Sequence, residues 1–91
     1  MELKRYGTLR MLQMAGEIRD LTVHPKLPMH VGGKKIGRGY MTLDFSYLEH
    51  FDGAWRRVYE DVKAIDTREN RLRRDICEAC NGVIIRLTQS P

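Results

Sequence analysis

The sequence predicts one α/β domain, spanning residues 1–91, in which a central mixed sheet is flanked by helices. Three observations carry that expectation. Residues 2–15 and 68–81 space their apolar positions as helices do, and residues 40–48 and 55–63 alternate as strands do. A short apolar run, 83–87, then follows the second helix. The expected order is helix, three extended segments, helix, strand (αβββαβ). Ninety-one residues lie near the lower limit for a self-sufficient core, so packing against a second copy would add buried surface.

On the first helix Glu2, Arg5, Tyr6, Leu9, Leu12 and Gln13 share one face, with Lys4, Thr8 and Met11 opposite, and Gly16 supplies a stop. Residues 18–31 read as extended. Pro25 and Pro28 exclude a helix there and predict an edge strand, or two short segments with a kink. Residues 32–39 read as a turn, with four glycines and the cations Lys34, Lys35 and Arg38. Such a turn is either a solvated hairpin tip or a loop resting on a phosphate backbone. It is not a P-loop, because its lysines and hydroxyls are wrongly spaced.

In 40–48, Met41, Leu43, Phe45 and Tyr47 form an apolar face, with Tyr40, Thr42, Asp44 and Ser46 on the other. A hairpin turn around Asp52-Gly53 leads into 55–63. There Trp55, Arg57, Tyr59, Asp61 and Lys63 share one face, and Arg56, Val58, Glu60 and Val62 share the other. A turn centred near residues 51 and 52 sets Asp44 opposite Tyr59 and makes Asp61 its diagonal neighbour, roughly 7–8 Å away at the backbone. Two carboxylates at that separation can share a divalent cation, and Lys63 follows on the same face. The same three residues also describe a cross-strand ion-pair cluster on a solvated face.

Asp66 or Thr67 can cap the second helix, whose apolar stripe is expected to be Leu72, Ile76, Ala79 and Cys80. Arg68, Arg71 and Arg74 run beside it, with Arg73 beyond, as a solvated face or a phosphate-binding stripe. Cys77 and Cys80 do not make a disulfide framework, and the histidines lie too far away in sequence for finger spacing. Both thiols are expected to be small buried apolar residues. The net charge of +4 and the pI near 9.3 favour an anionic partner, and eleven of the sixteen cations are arginines, which grip phosphate bidentately. No apolar run is long enough to cross a bilayer and the start lacks a secretory signal, so no membrane role and an intracellular protein are expected.

Taken together, Asp44 on one strand and Asp61-Val62-Lys63 on the next make the chain resemble the PD-(D/E)XK nuclease superfamily, the restriction-endonuclease-like proteins. More closely it resembles a phage-associated endonuclease-like family of unknown function. The likeness runs through Glu2, Arg5-Tyr6, Glu17-Ile18-Arg19-Asp20-Leu21, His24-Pro25-Lys26, Asp44-Phe45-Ser46-Tyr47, Glu60-Asp61-Val62-Lys63 and Thr67. Leu43 stands where the superfamily name has proline, Asp61 where glutamate is commoner, and Ala64 where glycine follows the lysine. The resemblance implies a Mg²⁺- (or Mn²⁺-) dependent DNA endonuclease; ninety-one residues leave no room for a separate recognition domain, so shape readout of branched DNA by a homodimer is expected. It would be encoded by a phage or prophage and work in the host cytoplasm. Asp44, Asp61, the Val62 carbonyl and Glu2 would be metal ligands, with Lys63 serving the attacking water and the transition-state charge. The alternative is a catalytically inactive DNA- or protein-binding module on the same fold.

Overall fold

The computed structural model describes residues 3–89. Its elements are α1 (Leu3–Met14), β1 (Ile18–Val23), β2 (Lys26–Val31), β3 (Lys34–Thr42), β4 (Phe45–Phe51), β5 (Ala54–Lys63), α2 (Arg68–Asn81) and β6 (Ile85–Gln89). The main sheet has the order β1-β4-β5-β6, antiparallel except for the parallel pair β5 and β6, and β2 and β3 form a separate antiparallel hairpin. A mixed sheet with two helices is therefore present. No helix among the described residues is long and apolar enough to cross a membrane.

The alternation along β5 sends neighbouring side chains into two different cores. On one face Phe45, Tyr47 and Val58 pack with Leu9 of α1 and Ile18 of β1. On the other, Leu43 and Ile85 pack with Cys77 of α2 and with Leu27, Met29 and Met41 of the hairpin, and Tyr59 lies against them. Each face thus has its own helix. The inner side of α1 runs through Arg5, Tyr6, Leu9, Leu12 and Gln13, and Gln13 caps its packing by accepting from the Leu21 N–H at 2.9 Å.

Four expectations change. The extended segments number five: 18–31 forms two short segments, one of the two forms expected of it, and 40–48, expected as one strand, splits. His24, with φ 56°, and Pro25 carry the chain out of the main sheet from β1 into the hairpin, and Leu43-Asp44 bring it back. The two crossings are tied by His24 N–H donating to the Asp44 carbonyl and Leu43 N–H donating to the Pro25 carbonyl, both at 2.9 Å. This break is why Met41 and Leu43 belong to one core and Phe45 and Tyr47 to the other. Second, only Gly32-Gly33 turns in 32–39; Lys34 already begins β3.

Third, the β4–β5 turn is Asp52-Gly53 itself, with φ of 51° and 81° at its two central residues, the two-residue geometry whose twist suits a hairpin. Phe45 therefore faces Glu60 and Ser46 faces Tyr59, so Asp44 lies past the end of the ladder and not opposite Tyr59. Fourth, α2 turns a partly polar line inward: Arg74 and Cys77 are buried, while Leu72 is 60% exposed and Ala79 is also exposed. Ion pairing at Arg74 outweighs the apolar count in setting the helix rotation. Thr67 caps α2 by accepting from the Asn70 N–H at 3.2 Å, and Gly82, left-handed at φ 62°, ends it.

Candidate metal centre

Asp44 occupies the corner where the chain re-enters the main sheet, and its backbone N–H donates to the Glu60 carbonyl at 3.2 Å. That contact sets its side chain against the end of β5. The Val62 N–H donates to Asp44 Oδ2 at 2.7 Å. In extended backbone a residue's N–H and C=O share one strand edge, so the Val62 carbonyl faces the same side. The β4 ladder ends at Phe45, which leaves that carbonyl beyond the last β4 partner.

Asp61 is 2% exposed, and its Oδ2 is buried with no hydrogen-bond donor. Two cations face this oxygen at ion-pair range without hydrogen-bonding it, Lys63 Nζ at 3.6 Å and Arg74 Nη1 at 3.8 Å. Burial first, and hydrogen bonding with the neighbouring Asp44 side chain second, push the Asp61 carboxyl up from 3.8 to about 6. The charges of Lys63 and Arg74 pull the other way without prevailing. A buried carboxylate oxygen with no hydrogen-bond donor, beside a second carboxylate, is one that a bound cation would complete. The donors are all hard oxygens, which fit Mg²⁺ or Mn²⁺.

Behind Asp61 stands Arg74, which sequence reasoning placed on a phosphate-binding face. It is 7% exposed and donates through both terminal nitrogens to Asp66, at 2.8 and 2.5 Å. It cannot reach a solvent-borne ligand from there, so that assignment is corrected. Its spacing from Asp66, two turns of chain apart, was the signal available in the sequence. The Arg74 guanidinium in turn holds the Asp66 carboxyl below its usual value.

Glu60, next to Asp61 in sequence, points to the other face and is fully occupied. Arg5 donates to both its oxygens, at 2.7 and 2.9 Å, and the Tyr47 hydroxyl donates at 2.6 Å. Glu2 lies outside the described residues. Among the described residues no three of histidine, cysteine, aspartate and glutamate gather as they would to hold a metal ion.

The remaining candidates are dispersed. Arg68 and Arg71 are exposed on α2, interleaved with Glu69 and Asp75. Lys34 and Lys35 are exposed at the hairpin tip, with Arg38 further along β3. Cys77 is buried in the α2-side core and Cys80 is half-buried. Trp55 packs within its hairpin, against His50 with ring centroids 3.8 Å apart and under the Arg19 guanidinium at 4.2 Å. Comparison with protein-family models, with curated proteins and with solved structures finds no match for this chain.

Proposed function

We propose that this chain is a metal-dependent DNA endonuclease with a restriction-endonuclease-like core of the PD-(D/E)XK kind. The observation that carries the reading is the orphaned Oδ2 of buried Asp61, set beside Asp44 and faced by Lys63. The topology supports it. With the β2–β3 hairpin set aside as an excursion, the order α1-β1-β4-β5-α2-β6 is the αβββαβ succession the resemblance implies.

Asp44, Asp61 and the Val62 carbonyl would hold Mg²⁺ or Mn²⁺, with Glu2 as a further ligand. The cation, when bound, supplies Lewis-acid polarisation of a phosphoryl oxygen and lowers the pKa of water. The chain's own residues do the rest. The Lys63 side chain, about a third exposed at 31%, offers its ammonium to the attacking water and to charge developing on the phosphoryl oxygens. Arg74, locked by Asp66, fixes a positive charge behind Asp61 and holds that carboxylate's direction.

The test is incubation of the protein with supercoiled, linear and four-way-junction DNA in Mg²⁺ or Mn²⁺. Cleavage is expected with metal and not in EDTA, falling by roughly 100-fold or more in Asp61→Ala and Lys63→Ala. No metal-dependent cleavage, or cleavage kept by both variants, refutes the reading. A second reading, an inactive DNA-binding module on the same fold, is favoured by one fact: no third acid, histidine or cysteine joins Asp44 and Asp61 among the described residues. It predicts salt-sensitive DNA binding without cleavage.

A further inference from the structure

The β2–β3 hairpin contains a bulge. Pro28 pairs with Tyr40 and His30 with Lys35, so residues 36–39 of β3 face only Met29 of β2. Gly37 and Gly39 carry the looped-out chain with φ of 58° and 87°. Gly39 is buried, and a Cβ there would lie 3.0 Å from Lys35 Cδ, so the lysine stem closes over it. Bulges re-aim side chains. Here the re-aimed residue is Arg38, which lines a hollow of about 450 Å³ together with Gly37, Tyr40, Thr42 and, from α2, Arg73.

Two arginines face this hollow and no carboxylate lines it. Among the described residues neither Arg38 nor Arg73 has an ion pair or hydrogen bond, and the hydroxyls of Tyr40 and Thr42 have no partner. A third cation stands alongside, with Lys26 Nζ 4.9 Å above the Tyr40 ring. The other arginine clusters differ. Arg56 and Arg86 are paired with Glu49 and Arg57 with Asp20, while Arg68 and Arg71 alternate with Glu69 and Asp75. Like charges held together without a counter-charge repel, and an anion seated between them relieves the repulsion. Unpaired guanidinium forks and free hydroxyls match the oxygens of a phosphodiester.

Both walls of the hollow are joined along the chain to residues of the carboxylate site. Thr42 lies two residues from Asp44, within roughly 7 Å along the chain, and Arg73 adjoins Arg74, which contacts Asp61. We infer that this hollow is a phosphate-binding subsite that seats a non-scissile phosphodiester of the nucleic-acid strand beside the one at the metal centre. The placement on a cleaved strand rests on the nuclease reading; the affinity for a phosphodiester does not.

The test is fluorescence anisotropy of a short labelled DNA single strand in EDTA, where binding is read without cleavage. The proteins are the wild type, Arg38→Ala, Arg73→Ala, the double variant, and Arg19→Ala as a control on the far edge of the sheet. Loss of both arginines from this one phosphate is expected to weaken binding tenfold or more near 0.1 M salt and to reduce the salt slope by roughly 0.7. An oligonucleotide with an uncharged methylphosphonate backbone is expected to bind the wild type and the double variant equally weakly. Wild-type affinity and slope in the double variant, an equal loss in Arg19→Ala, or full binding of the uncharged strand would each overturn the subsite. Loss of binding in the double variant, in a protein that never cleaves, retains the subsite and rejects the nuclease.

Discussion

Asp61→Asn is expected to make the metal-free protein more stable at pH 8. The side chain is 2% exposed and its Oδ2 lacks a donor, so the ionised form stands in a poorly solvated place. Folding raises its carboxyl from 3.8 to about 6, and at about 1.4 kcal/mol per pH unit this amounts to roughly 3 kcal/mol against the folded state once the group is ionised. The sign follows from proton counts. Between those two values the folded chain binds more protons than the unfolded one, so stability falls as pH rises through the window and stays lower above it. Asparagine keeps the shape, cannot ionise, and can donate to Asp44. The gain should therefore approach roughly 3 kcal/mol at pH 8, or more than 10 °C in Tm for a domain of this size, and vanish below pH 4. Urea unfolding in EDTA at pH 4, 6 and 8 measures it. Mn²⁺ should then raise the wild-type Tm at pH 8 and leave that of the variant unchanged. A variant less stable than the wild type at pH 8, or a difference independent of pH, would refute the account of Asp61.

Burial pushes the Glu60 carboxyl up, but hydrogen bonds from Arg5 and Tyr47 outweigh it and hold it below the usual carboxylate range, so its contribution is lost only as pH falls through that lowered value. Arg5→Ala, which leaves Glu60 buried without its cation, should cost toward the lower end of ~3–5 kcal/mol, because Arg5 is itself partly exposed; urea midpoints would show this, and no change would refute it. Gly39→Ala should destabilise by roughly 1–3 kcal/mol, through its positive φ and the close approach of Lys35, and more than Gly37→Ala, where an added Cβ meets nothing. Thr67→Ala removes the α2 cap and should cost about 1 kcal/mol in thermal unfolding.

Much of this architecture was legible because local chemistry and global fold agree. The helical spacing of Tyr6, Leu9 and Leu12, the strand alternation through 55–63 and the Asp52-Gly53 turn each point to the element that forms. The corner at Asp44 was not legible, since 40–48 alternates without interruption. The break there comes from backbone bonds to His24, Pro25 and Glu60, partners distant in sequence. Arg74 was misplaced for a related reason. A count of apolar residues puts Leu72 inside and arginine outside, but Asp66 and Asp61 give the guanidinium its charge complement in the interior. Arg38 and Arg73 share no sequence signal at all, because a bulge and a helix rotation bring them to one hollow.

The paired crossings at His24-Pro25 and Leu43-Asp44 make a neck that divides the chain's tolerance to change. On the sheet side, a shift at the neck moves Asp44 directly, so lengthening or shortening the chain there displaces a carboxylate. On the far side, the Leu27, Met29 and Met41 side chains, with Ile36 packed against their cluster, anchor the hairpin. Beyond them Gly32-Gly33 turns in open space, with nothing within 4 Å of an added Cβ at either glycine. That tip is a natural grafting point: a peptide tag or a longer loop inserted between the two glycines would extend the hairpin outward while the sheet, and the corner that carries Asp44, keep their register.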